Sequence, residues 1–389
     1  MTYTFLLMST LVSGFLLGAL QFFSLELLVQ AHGASSRDWI VQLISMIVTI
    51  GPAMVYVVSG PLAASRRKNV IMTYALCGTS AVMLAGFGVE WRYFPWLGLL
   101  VCGLLMGTYS AAKMSSVPIA AAHTGRSTTA VNAAMSVVFL LGLLFGLPTG
   151  TWTAGAVQHH GYLALAGLCG VAALVSAFAR FPNETLRSFR AEQQTLVRET
   201  VRLYAEHPVY LVSGPLLWGV AGATNMALTA YVIGHGIASP QKAAFIPLYA
   251  AIGVIAGNLA SPLFHRRRSV TAFGATLGML ATVLAIPHVA ARAVVIICVV
   301  IVVGVMFGLA TNLVDAAFLE LAAAEGKEGV GAALQSATIA MCSVIVSGSI
   351  GTALLFHWVT PESQFLVLGA LISVSAALLL WLTVSRAFK

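Results

Sequence analysis

Residues 181–208 read FPNETLRSFRAEQQTLVRETVRLYAEHP, with Arg187, Arg190, Arg198 and Arg202 set against Glu184, Glu192, Glu199 and Glu206. This is the one long charged tract in a chain of 389 residues that is 59% hydrophobic and only 8% charged. A soluble domain carries roughly 25% charged residues, so this composition, with a mean hydropathy of +0.94, implies a polytopic membrane protein. On either side of the tract the chain divides into apolar stretches of about 20 residues, the length that crosses hydrocarbon as a helix. The tract therefore reads as a cytoplasmic linker, residues 181–207, between two membrane halves, residues 1–180 and 208–389.

The halves look like copies. Val12-Ser13-Gly14 followed by Leu16-Leu17 recurs as Val212-Ser213-Gly214 followed by Leu216-Leu217. Pro61-Leu62 ahead of Arg66-Arg67-Lys68 recurs as Pro262-Leu263 ahead of Arg266-Arg267-Arg268. Gly103 and Gly107 recur as Gly304 and Gly308, and all three matches keep a separation of 200 to 201 residues. Two parallel repeats joined by a polar linker is the layout of a two-lobed secondary transporter.

Windows of about 20 apolar residues predict twelve spans, six on each side of the linker, in an all-α polytopic protein. With both termini cytoplasmic, fifteen of the 20 lysines and arginines fall inside. Arg37, Arg92, Lys242 and Arg292 fall outside, and Lys113 lies within a span. That asymmetry is what the positive-inside rule requires, so span count and orientation support each other. The net charge of +8 sits in short loops and forms no continuous face, which points to topology rather than to a nucleic-acid partner. The N-terminal apolar run lacks a basic region ahead of it and is too long for a signal peptide, so it counts as the first span.

Within the linker, Asn183 is placed to cap a helix opening at Glu184, with Leu186, Phe189, Leu196, Val197 and Tyr204 as a loose apolar stripe. Such a helix either lies on the inner membrane surface or forms a solvated connector. In the fifth span, Gly142, Gly146 and Gly150, with Pro148 between the last two, are small residues at the spacing that lets helices pack closely. The five cysteines fall in apolar segments without ligand spacing and read as small buried hydrophobes. Most histidines lie in outer turns, and adjacent His159 and His160 diverge, so no metal site is expected. Neither a phosphate loop nor a hydrolase elbow nor a zinc-protease motif occurs, so neither a cofactor nor an enzymatic activity is expected.

Ionised groups in hydrocarbon cost roughly 2.5 to 3.5 kcal/mol on insertion scales, so the few present narrow the search for a functional site. They are Glu26, Lys113 and Asp315, with Glu320 at the inner end of span ten. Glu26 either reaches the outer headgroups or belongs to an outward-facing site. Lys113 and Asp315 occupy equivalent repeat positions within one residue, in spans four and ten. They either form a gate pair that closes as the lobes rock or reach the inner interface independently. Gln21, Tyr109, Asn132, Asn225, Asn312 and Gln335 outline a path with little charge, suited to an amphiphilic or neutral substrate.

Tyr109-Ser110-Ala111-Ala112-Lys113 resembles the Tyr-Ser-Pro-Ala-Lys stretch of bacterial lysophospholipid transporters, a branch of the major facilitator superfamily. Leu217-Trp218-Gly219, Ala251-Ile252-Gly253-Val254, Gly304-Val305-Met306 and Gly329-Val330-Gly331-Ala332 are similar too. Gly146-Leu147-Pro148-Thr149-Gly150 resembles, in degraded form, the Gly-Pro signature of major facilitator exporters. The chain departs from the family at Ala19-Leu20-Gln21, where the family has Gly-Asp-Asn, and at Asn225, where it has an arginine. It departs again at Ala64, where the superfamily's Gly-x-x-x-Asp loop carries its acid.

The resemblance implies the major facilitator fold, a bacterial inner-membrane location and inward movement of lysophospholipids between leaflets, with Lys113 matching the family's span-four lysine. Expected partners are membrane lipids and a lipid or amphiphilic substrate, with a proton or another coupling ion left open. Two alternatives stand beside it: a proton-coupled exporter of drug-like or siderophore-like molecules, and a sensor or scaffold that binds without transport.

Overall fold

The computed structural model describes residues 2–33, 37–89, 93–157, 160–181, 184, 186–237, 246–289, 293–355, 358–360 and 362–387. Asn183, Arg92, Lys242, Arg292, His159, His357 and the side chain of Asn225 lie outside the described residues.

Hydrocarbon offers backbone amides no partner, so an apolar chain crosses it with its hydrogen bonds closed internally. The chain is accordingly all-helical. Six helices precede the linker: α1 (Thr2–His32), α2 (Arg37–Ser65), α3 (Lys68–Gly88), α4 (Phe94–Thr124), α5 (Thr128–Val157) and α6 (Gly161–Ala177). The linker holds α7 (Phe189–Glu206). Six helices follow: α8 (Pro208–Gly234), α9 (Ile246–Ala260), α10 (Arg268–Val289), α11 (Ala293–Ala324), α12 (Glu328–Leu355) and α13 (Gln364–Ala387). A 3-10 segment, Ser261–Arg267, joins α9 to α10. Among the described residues, nine continuous helical stretches have the length and hydropathy to cross a membrane, one of them, Ile246–His288, running through α9, the 3-10 segment and α10.

Contact divides the chain into two units. Unit 1 comprises Met1–Arg126, Ala134–Arg202 and Leu321–Ala337; unit 2 comprises Ser127–Ala133, Leu203–Glu320 and Thr338–Lys389. The core of unit 1 gathers Phe23, Leu28, Met83, Phe94 and Tyr162, where the Tyr162 ring meets Phe23 and Phe94 edge-on. The core of unit 2 gathers Leu217, Met279, Val300, Phe307 and Phe365.

Backbones approach closely inside each unit because glycines line the contacts. A Cβ added at Gly142, Gly146 or Gly150 of α5 would overlap the carbonyl oxygen of Leu11, Phe15 or Ala19 on α1. In the α2–α4 pair, Gly51 meets Gly103, and Gly107 meets Pro52; in the α9–α11 pair, Gly304 meets Ala250 and Gly253, and Gly308 meets Val254. The repeated glycines thus make the same kind of contact in each half. Turns repeat as well. Gly125 after α4 and Gly326 after α11 both take φ near +65° (66° and 64°), and the next amide, of Arg126 or Lys327, bonds back to Ala121 or Ala322. A left-handed residue without a Cβ is the common way to close a helix C-terminus.

Two expectations need correcting. Cys77 and Cys298 are exposed rather than buried, whereas Cys102 and Cys169 are buried; a thiol small and apolar enough for a core is equally suited to a face turned towards acyl chains. The linker helix starts at Phe189 rather than Glu184, and its buried positions are Glu192, Leu196, Glu199 and Leu203. Leu186 and Val197, expected in the apolar stripe, are exposed. A face containing two carboxylates is buried because cations from elsewhere in unit 1 meet it.

Glycine contact predicts a sharp contrast between positions. Gly146→Leu lowers stability by about 1–3 kcal/mol or more through overpacking, seen as a fall in the thermal unfolding midpoint in detergent. Gly167→Ala, at a site with no atom within 4 Å of the added Cβ, shifts stability by no more than about 0.5 kcal/mol.

Candidate functional site

The intramembrane charges are best taken unit by unit. In unit 1, Lys113 lies on α4 one turn beyond Tyr109, and its ammonium sits 4.4 Å from the centre of the Phe139 ring on α5. A cation over an aromatic face gains electrostatic stabilisation that strengthens as water is excluded. Among the described residues of unit 1, this ring is the partner of Lys113. Gln21 and Glu26 are both half-buried on α1, five residues apart.

Tyr109 lies in the packed interior of unit 1. Its hydroxyl is 2.9 Å from Ser9 Oγ, which is in turn 2.6 Å from Ser176 Oγ. The Ser176 hydroxyl also donates to the Ala172 carbonyl. This short chain ties α4, α1 and α6 together with each hydroxyl satisfied, as a buried polar group requires. It places Tyr109 as a brace directly above Lys113.

In unit 2, Asp315 of α11 is buried, and its Oδ2 accepts a hydrogen bond from Trp218 Nε1 of α8 at 3.2 Å. A Cβ added at Gly214, one turn earlier in α8, would lie 3.1 Å from Asp315 Oδ1. Glycine therefore leaves room for the carboxylate against the α8 backbone. The Trp218 ring packs edge-on against Phe307, centroids 4.9 Å apart, which fixes the direction of its N–H. Glu320, five residues further along α11, pairs with Arg268 at the start of α10. That pairing explains how Glu320 is accommodated near the end of an apolar helix.

One polar cluster joins residues far apart in the sequence. Asn132 Nδ2 donates to Asn312 Oδ1 at 2.7 Å, and Asn312 Nδ2 donates to the Thr129 carbonyl at 3.2 Å and to Ser261 Oγ. Thr129 Oγ1 lies 2.9 Å from His265 Nδ1. The start of α5 is thereby bound into unit 2 by side chains of α11 and the 3-10 segment. Asn132 and Asn312 were candidates from polarity alone; Thr129, Ser261 and His265 were not, since no local spacing links positions so distant in sequence. Gln335 is buried in the part of α12 that belongs to unit 1.

A multi-pass helical membrane protein in two units, with a handful of buried polar groups and isolated charges among the described residues, has the build of a solute transporter. The Major Facilitator Superfamily model matches residues 6–339, and the chain belongs to that superfamily. No curated protein matches the sequence significantly.

Solved structures share the fold at low identity. The human organic anion transporter MFSD10 (TETRAN) is 13% identical with a TM-score of 0.76, over 97% of this chain and 99% of that one. A bacterial homologue of the iron transporter ferroportin in its outward-facing state is 16% identical with a TM-score of 0.72, over 98% of each chain. The Major Facilitator Superfamily transporter FucP in the outward conformation is 13% identical with a TM-score of 0.71, over 98% of this chain and 99% of that one.

The asparagine cluster gives a direct test. Asn312→Ala removes three hydrogen bonds and strands the Asn132 amide, so unit 2 loses about 1–3 kcal/mol. The measurement is thermal unfolding in detergent with the double variant Asn132→Ala/Asn312→Ala alongside. The double variant should cost less than the sum of the two single changes, because the second deletion removes a group already left without its partner.

Proposed function

We propose that the protein is an alternating-access secondary transporter that moves a lysophospholipid, or an amphiphile of similar charge, between leaflets of a bacterial inner membrane. The observation that carries this reading is the setting of Lys113: one ammonium, within a span, held against an aromatic ring in unit 1. A half-buried cation inside a span suits one phosphate better than a multiply charged solute, and the apolar surroundings suit an acyl chain. The Tyr-Ser-Ala-Ala-Lys stretch supports the same reading through its resemblance to lysophospholipid transporters.

In this proposal Gln21 and Asn225 flank the headgroup path, Tyr109 braces α4 behind it, and Lys113 is its charge-reading residue. Asp315 is the counter-charge that Lys113 meets when the basic-loop end closes. Glu26 serves the opposite end of the path, and Glu320 steadies the end of α11 through Arg268.

A second reading, proton-coupled export, is favoured by Asp315 itself. A carboxylate only 4% exposed, whose Oδ2 accepts an indole N–H, is suited to take up and release a proton. Asp315→Asn retains an acceptor for Trp218 but abolishes titration, which separates the two roles.

The decisive measurement is transfer of fluorescent lysophosphatidylethanolamine between leaflets of proteoliposomes, with and without a proton gradient. The wild-type protein should exceed empty liposomes at least tenfold. Lys113→Ala should remove at least nine-tenths of that rate, and Lys113→Arg should restore part of it. Transfer no faster than in empty liposomes ends the lipid reading. Proton flux that is driven by another substrate and lost in Asp315→Asn establishes the second.

A further inference from the structure

The linker is stitched into unit 1 by charges that neither the lipid path nor the proton reading uses. Glu184 reaches the turn between α2 and α3: its Oε2 accepts the backbone N–H of Lys68 at 3.0 Å, and the Lys68 ammonium lies 3.9 Å from the same oxygen. Both side chains are almost wholly buried, 0% and 2% exposed. A carboxylate at the first residue of α3 satisfies one of its free amides and meets the positive end of its dipole. Three residues on, the Arg187 amide donates to the Ala64 carbonyl at the end of α2 at 3.0 Å. The linker therefore covers both sides of the α2–α3 turn, where Ala64 stands in place of the acid of the superfamily's loop.

The same segment grips the α11–α12 turn. Lys327 Nζ lies 3.9 Å from Glu192 Oε1 and 3.7 Å from Glu199 Oε1, all three side chains largely buried. Arg187 also pairs with Glu192 at 3.3 Å, and its guanidinium occupies the space a Cβ at Gly326 would need. Arg202 pairs with Glu325 at 3.4 Å. Directly beneath these pairs the two turns touch: a Cβ at Gly329 would lie 2.6 Å from the Ala64 amide nitrogen, and one at Gly60 3.4 Å from Ala333 Cβ. At this contact the Glu328 carboxylate of the α11–α12 turn acts on Lys68 of the α2–α3 turn. The linker adds the carboxylates of Glu184, Glu192 and Glu199 to it.

We infer that residues 184–206 act as a charge-held strap. With Glu192 and Glu199 engaged on Lys327, the α11–α12 turn stays seated against the α2–α3 turn. When those pairs part, the turn is freed while Glu184 keeps the strap anchored to α3. The strap thus brings carboxylates to an α2–α3 turn that has Ala64 at its own acidic position, and it sets the conformational balance at this end of the protein. The inference rests on the alternating-access reading. Its readout needs no substrate, so a failed lipid assay leaves it standing.

The test is hydrogen–deuterium exchange of the full-length protein in lipid nanodiscs, followed peptide by peptide. Glu192→Gln/Glu199→Gln, which keeps side-chain size and removes charge, should raise exchange at least tenfold in residues 189–206 and 321–337 together. Arg190→Gln, an exposed change of charge on the same helix, should stay within twofold of wild type. Lys327→Gln, which removes the cation that both carboxylates share, should raise exchange in the same two segments. Exchange in the double glutamine variant within twofold of wild type overturns the strap. A rise spread equally over α1–α6 overturns it too, since the charges would then brace the whole unit rather than hold one turn, and so does wild-type exchange in Lys327→Gln.

Discussion

Everything in this fold follows from a solvent that cannot hydrogen-bond. Within hydrocarbon each backbone group must find its partner in the chain, which leaves the helix as the available solution for a sequence of this composition. It also removes the usual hydrophobic drive for helices to associate, because a leucine is as well off against lipid as against protein. Close approach of backbones has to supply the attraction instead. The glycines of α1, α2, α4, α5, α9 and α11 permit it, placing carbonyl oxygens of one helix where the next would carry side chains. Proline at 148 is tolerated in α5 for a related reason: the packed neighbour, rather than the missing amide, holds the helix.

Against that background the polar residues sort by what they satisfy. Ser9, Tyr109 and Ser176 complete one another inside unit 1, and Asn132, Asn312 and Ser261 do so inside unit 2. These are struts. Lys113 and Asp315 are ionisable groups inside apolar helices, and an aromatic side chain, Phe139 or Trp218, lies against each. An ammonium over a ring keeps its formal charge, which is what a site for a phosphate requires.

The helices were legible in the sequence because twelve apolar runs and a polar interruption leave little choice of architecture, and the duplicated glycines marked equivalent contacts in each half. The candidate site was legible only as a set of residues. Lys113, Asp315 and Glu320 stand out from apolar surroundings by chemistry alone, but their partners Phe139, Trp218 and Arg268 lie on other helices and leave no local signature. The linker shows the limit most clearly. Of its expected apolar stripe Leu196 is buried, whereas Leu186 and Val197 are exposed, because the buried face also takes in Glu192 and Glu199, which meet Lys327, a residue far along the chain. The spacing of Glu192, Leu196, Glu199 and Leu203 was a usable signal, since those positions share one side of a helix; weighing charge as automatically exposed obscured it.

The dependence of α7 on Lys327 also orders events during synthesis. The linker leaves the ribosome directly after α6, whereas the turn that carries Lys327 follows only when most of the chain has been made. Until then Glu192 and Glu199 have only water and the linker's own Arg187, Arg198 and Arg202 as partners, and the N-terminal helices are inserted before Lys327 can reach their connector. Completion of the second half is what dehydrates the first half's own linker, so the last third of the polypeptide finishes a structure that the first half begins.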